Sequence, residues 1–135
     1  MKLGLLISLY RNEPLDAVLA KAKAKGIEAV EIAAGGYGGK DHCDPAELLA
    51  NEDKFLEFKH TIDKHGIPIS AFSVHGNPVH PNKEVAKQFH DDYVNCVLLA
   101  EKMGVDTITL FSGCPGGCAE DKTPNWATCP WPEDF

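Results

Sequence analysis

The sequence predicts an α/β fold, a (β/α)8 barrel of which this chain holds about the first four strands and three helices. Three observations carry that reading. A unit of helix, tight turn and strand recurs, marked by Gly26, Gly66 and Gly104, which lie 40 and 38 residues apart. Each β-rich run places bulky apolar residues on one face and small or polar ones on the other. The 135 residues are roughly half of the about 250 that a closed barrel needs. Residues 1–135 are therefore expected to be the amino-terminal half of one barrel domain in a longer protein.

Leu3 to Leu9 is an apolar run that reads as the first strand. Asn12-Glu13-Pro14 then offers a cap and a first-turn proline to a helix whose Leu15, Val18, Leu19 and Ala22 fall at helical spacing. Lys25-Gly26-Ile27-Glu28 closes it and leads into the strand AVEIA. Asp44-Pro45-Ala46-Glu47 resembles a capping box opening a short extra helix, and Phe55, Phe58 and Ile62 mark the middle helix. His65-Gly66-Ile67-Pro68 leads into ISAFSV; Val85, Phe89, Tyr93, Val97 and Ala100 form the last helical stripe; Met103-Gly104-Val105-Asp106 leads into TITLF. In each unit the glycine stands where a left-handed residue ends the final turn.

Strands alternating with helices at this spacing give a parallel sheet, either doubly wound or closed as a barrel. A doubly wound sheet carries helices on both faces and favours bulky apolar residues on both. Here Val30 and Ile32 oppose Ala29, Glu31 and Ala33; Phe72 and Val74 oppose Ala71, Ser73 and His75; Ile108 and Leu110 oppose Thr107 and Thr109. A barrel lumen accepts such small and polar positions, and the barrel is favoured.

Composition narrows the function. Thirteen basic against 20 acidic side chains leave a formal charge of -7, which repels phosphate backbones, so no nucleic-acid partner is expected. No run approaches a spanning helix, so neither membrane nor signal segment is expected and the location reads as cytoplasmic. The odd, irregular set Cys43, Cys96, Cys114, Cys118 and Cys129 fits reduced thiols better than a disulfide framework.

The long loops leave strands rather than helices, and function in α/β folds gathers at the carboxyl ends of strands. Tyr10, Arg11, Asn12, Glu31, His75, Asn77, His80, Ser112 and the Cys114 to Cys118 segment are the positions this selects. Glu31 is a lone carboxylate in an apolar strand and must be paired, either structurally or with a substrate hydroxyl or metal-bound water. His75 ends the third strand, where an imidazole can donate to a sugar oxygen, move a proton or ligate a metal; the alternative is a histidine bonded to neighbouring backbone. Asn77 shapes the turn or contacts ligand, and His80, beside Pro81, reads as structural. Cys114-Pro-Gly-Gly-Cys118, with Cys129, His42 and Cys43, makes only a weak zinc or dithiol pattern. The GGYGG run from Gly35 to Gly39 matches no phosphate-binding pattern and reads as a mobile loop over the barrel mouth.

The segments AVEIAAGG, SAFSVHGNPVHP, ITLFSGCPGG and PNWATCPWP resemble the sugar phosphate isomerase/epimerase family, whose members share the xylose isomerase-like TIM barrel. The resemblance spans nearly the whole chain. It implies a divalent-metal enzyme, with manganese, magnesium or cobalt, that moves a proton between adjacent carbons of a sugar or keto-sugar through an enediolate. The family's metal set of two glutamates, an aspartate and a histidine sits on later strands, so the ligands are expected beyond residue 135 and no catalytic residue is assignable here. What the resemblance carries over is a substrate-binding wall: His75, also the one weak metal candidate, with Asn77, Glu31 and Ser112 as neighbours. A small-molecule sugar is the expected partner, and these residues alone are expected to be inactive.

Three rivals stand beside this reading. The same branch resembles catalytic subunits of C-glycoside deglycosidases acting on 3-keto-glycosides. An apurinic-site endonuclease shares the barrel but needs a zinc-rich histidine set and a basic face. A non-catalytic half barrel would complete its sheet by pairing with another chain, which makes a homo-oligomer an expectation too.

Overall fold

Helices and strands alternate because the sequence places a helix stop before each β-rich run. Gly66 and Gly104 cap their helices in the left-handed region, at φ 61° and 69°, and Gly26 turns the chain after the first helix at φ 77°. In the computed structural model, which describes residues 1–126, the elements are β1 (Gly4–Leu6), α1 (Leu15–Ala24), β2 (Ala29–Gly36), α2 (Pro45–Ala50), α3 (Glu52–His65), β3 (Ile69–His75), α4 (Lys83–Met103) and β4 (Ile108–Leu110). Cys129 and the segment around it lie outside the described residues.

The strands form one parallel sheet in the order β1-β2-β3-β4. Each strand pairs with its predecessor, and the order never reverses. A doubly wound sheet reverses at a switch point; an unreversed order with helices on one side is the wall of a barrel. Val30, Ile32, Phe72 and Val74 face the helices and share one core with Val18, Leu19, Phe58, Ile62, Cys96 and Leu99. Each such side chain contributes about 1.5–3 kcal/mol by leaving water. The opposite face carries Glu31, Ser73, Thr109 and His75, as the alternation requires.

Four local expectations change. The first strand stops at Leu6, and the chain coils into one 3-10 turn, Ile7–Tyr10, that buries Ile7 and leaves Leu9 and Tyr10 at the surface; an apolar run does not by itself distinguish extended chain from a short turn. Pro14 occupies the cap position of α1, and no side chain caps that helix. Asp44 does cap α2 through the amides of Ala46 and Glu47, while the Glu47 carboxylate pairs with Lys54. On α4 the buried stripe is Ala86, Asp92, Cys96, Leu99 and Ala100, whereas Tyr93 and Val97 are exposed. The stripe lies one flank away from the expected one because α4 packs on α2, β2 and β3 more than on β4.

Candidate functional site

The carboxyl ends of β2, β3 and β4 bring three loops together. β2 runs on into GGYGG, which is folded down and bonded rather than free. The Gly36 N–H donates to Asp92 Oδ2 at 3.0 Å, the Tyr37 N–H to the His75 carbonyl at 2.6 Å, and Lys40 Nζ pairs with Asp92 Oδ1 at 2.6 Å. Gly36 has φ 64°, and a Cβ there would lie 1.9 Å from the His75 oxygen, so only glycine fits between the two strand ends. The expectation of a mobile loop is corrected: Asp92 and the end of β3 hold it. Burial works against the Lys40 ammonium, yet the hydrogen bond and charge of Asp92, helped by Asp44, raise its pKa above the usual lysine value.

His75 closes β3. Its ring stacks on Phe111, with centroids 4.5 Å apart and planes at 29°. Its Nδ1 is buried without a hydrogen-bond partner, a polar atom that costs free energy until something pairs with it. Tyr37 completes an aromatic wall, 5.0 Å from Phe89 and 6.5 Å from Phe111 between centroids.

Glu31 lies lower on the same face. The Thr109 hydroxyl donates to its Oε1 at 2.9 Å, which supplies the pairing that a half-buried carboxylate requires. Glu31 is in register with Ala71, four residues before His75, so at ~3.3 Å per residue the two are separated along the strands by about 13 Å. They share a face without touching.

Asn77 is fully buried. Its Nδ2 donates to the Cys114 carbonyl at 2.8 Å and its Oδ1 accepts the Cys114 N–H at 2.9 Å. The amide thus joins the loops after β3 and β4, the turn-shaping one of its two expected roles. Ser112 lines a 230 Å³ cavity with Gly76, Phe89, Tyr93, Leu110 and Phe111, on the helix side of the strand ends. His80 is buried, and its Nδ1 accepts the Asn82 N–H at 2.9 Å at the start of α4. Arg11 reaches the Gly38 carbonyl at 3.5 Å, while Tyr10 lines a groove beside α1 with Val18 and Lys21.

Among the described residues, which leave out Cys129, the zinc pattern does not assemble. Cys43 is buried in the core, His42 Nε2 is 2.8 Å from the Glu13 carbonyl, and Cys118 Sγ is 3.2 Å from Asp121 Oδ1. Among the described residues no group of three or more His, Cys, Asp or Glu could hold a metal ion. His75 Nδ1 offers one donor atom, so the described residues do not by themselves fit the divalent metal that the resemblance implies.

The sequence reading missed Tyr37, Asp92, Thr109 and Phe111. Asp92 had a signal: it lies at helical spacing between the apolar Phe89 and Cys96 of α4, where a carboxylate requires a partner. Thr109 and Phe111 follow from the alternation that selected His75.

The family model described as the xylose isomerase-like TIM barrel matches residues 19–129. The chain belongs to this family. One relative within reach is the uncharacterized protein YfiH of Bacillus subtilis (strain 168), 32% identical over 134 residues. That match covers 98% of this chain and 42% of YfiH, so the chain spans less than half the length of this relative. The family assignment agrees with the unreversed sheet order and with the helices on one face. Among the described residues no helix is long and apolar enough to cross a membrane.

Proposed function

We propose that the full-length protein is a sugar isomerase or epimerase that moves a proton between adjacent carbons of a sugar or keto-sugar, and that residues 1–126 supply part of its substrate wall. The observation that supports this most is the orphaned His75 Nδ1, buried beside Phe111 at the carboxyl end of β3. A substrate hydroxyl would satisfy it, and the Phe111 ring fixes the imidazole plane so that little orientation is lost on binding. Glu31 is the second polar group of the same face, held ready by Thr109. Ser112 borders the adjoining cavity, and Asn77 serves by holding the β4 loop against the β3 loop.

A divalent metal, cytoplasmic location and self-association belong to the same proposal for the full-length protein. The described residues do not form the metal's site, so the roles of His75 and Glu31 are those of substrate contacts alone. The test is to incubate full-length protein and manganese with a panel of ketoses and, separately, with 3-keto-glycosides. Carbon-bound proton exchange with deuterated water on a ketose supports isomerisation or epimerisation. Cleavage of a 3-keto-glycoside instead would replace this reading with the deglycosidase, and inertness toward both panels would refute both. His75→Asn is expected to raise KM for the substrate that reacts.

A further inference from the structure

The stripe that seats α4 in the core contains one acidic residue. Asp92 is 7% exposed, on a helix anchored by Cys96 and Leu99, which are fully buried. A carboxylate so placed is stable only when paired and hydrogen-bonded, and both its partners come from the β2 loop: the Gly36 N–H and Lys40 Nζ. Gly35 has no room for more, since a Cβ there would stand 3.0 Å from the Asp92 Cβ. From this latch the loop reaches the site in one step, through the Tyr37 N–H on the His75 carbonyl and the Tyr37 ring beside Phe111.

We propose that Asp92 is a positioning residue of the site, which through the Gly35 to Lys40 loop fixes Tyr37 and so sets how His75 lies against Phe111. Asp92 does not touch the substrate face. It acts from the helix layer, and its rigidity is that of the core behind it. The proposal rests on the reading of His75 as a substrate contact for its functional meaning, but its physical content is conformational.

The test uses full-length protein with 15N-labelled histidine, the His75 ring signals being assigned by their loss in His75→Asn. In Asp92→Ala the ring-current shift that Phe111 imposes on His75 is expected to change, and amides 35–40 are expected to exchange about tenfold faster or more, as loss of a charged hydrogen bond implies. Asp92→Asn keeps an acceptor for Gly36 but releases Lys40, and is expected to keep most of both signals, with only a small His75 shift in the direction seen for Asp92→Ala. Should Asp92→Ala fail to fold, Lys40→Met loosens one side of the latch, with a smaller His75 shift in the same direction expected. A His75 signal unchanged in the folded variant overturns the proposal, as does equal exchange in the Ala and Asn variants. No substrate enters these measurements, so an inert sugar panel leaves them standing, and an unmoved His75 leaves the sugar reading intact.

Discussion

The Thr109 hydroxyl on β4 reaches over β3 to the Glu31 carboxylate on β2, at 2.9 Å. The bond passes above a sheet surface of Ala71 and Ser73, both buried, and only small side chains there leave the path open. The polar face of this sheet is thus wired across a strand rather than along one.

Thr109→Val keeps the shape and removes the donor. It is expected to lower stability by about 1–3 kcal/mol, the range for a polar group deprived of its partner, whereas Thr109→Ser stays near wild type. Urea denaturation of the three proteins reads the difference.

Gly36 and Gly66 both have positive φ, yet a Cβ at Gly66 meets nothing within 4 Å while one at Gly36 meets the His75 carbonyl. Gly66→Ala is expected to cost about 1–2 kcal/mol for the left-handed backbone. Gly36→Ala adds a main-chain collision and is expected to exceed about 4 kcal/mol. Melting temperatures of the pair check the order.

Asn77→Ala strands the N–H and the carbonyl of Cys114 and is expected to cost about 2–3 kcal/mol. Asn77→Asp is no gentler, because a carboxylate accepts the N–H but faces the carbonyl with like charge. In both variants proteolysis within residues 112–126 is expected to quicken; unchanged cleavage would contradict the joining role.

Burial pushes the Cys96 thiol up to about 12, with Asp92 adding to the effect, and raises the Cys43 thiol likewise. Native protein at neutral pH is expected to leave both unmodified by a thiol reagent while the exposed Cys118 reacts. Cys118 reacts slowly: a Glu120 backbone contact lowers its pKa, but the Asp121 and Glu120 carboxylates outweigh that and raise it. Peptide mapping after labelling reads all three.

Asp16 accepts hydrogen bonds from Lys64 and His65, and these hold its carboxyl below the ordinary value. A depressed folded-state pKa gives stability that is present above the unfolded pKa of about 3.9 and is lost as pH falls through the folded value. Asp16→Asn is expected to flatten the acid limb of a plot of melting temperature against pH.

The parallel order, the helix-closing glycines and the two sheet faces were legible because each is a local pattern: Gly66 and Gly104 stop helices by their own backbone freedom, and Val30 or Phe72 declares its face through its neighbours at two-residue spacing. The site was legible only as far as such patterns reach. His75 and Glu31 could be chosen from the alternation, but the tie of Asn77 to Cys114 joins residues 37 apart. That of Gly36 to Asp92 spans 56. No period in the sequence marks a pairing across two loops, so the glycine run was read for its freedom when its meaning lay in close approach.

Since each described strand after β1 pairs with the one made just before it, each new stretch of polypeptide finds its template already in place. Such a sheet can be laid down in the order of synthesis, one course on another, without waiting for a distant partner to leave the ribosome.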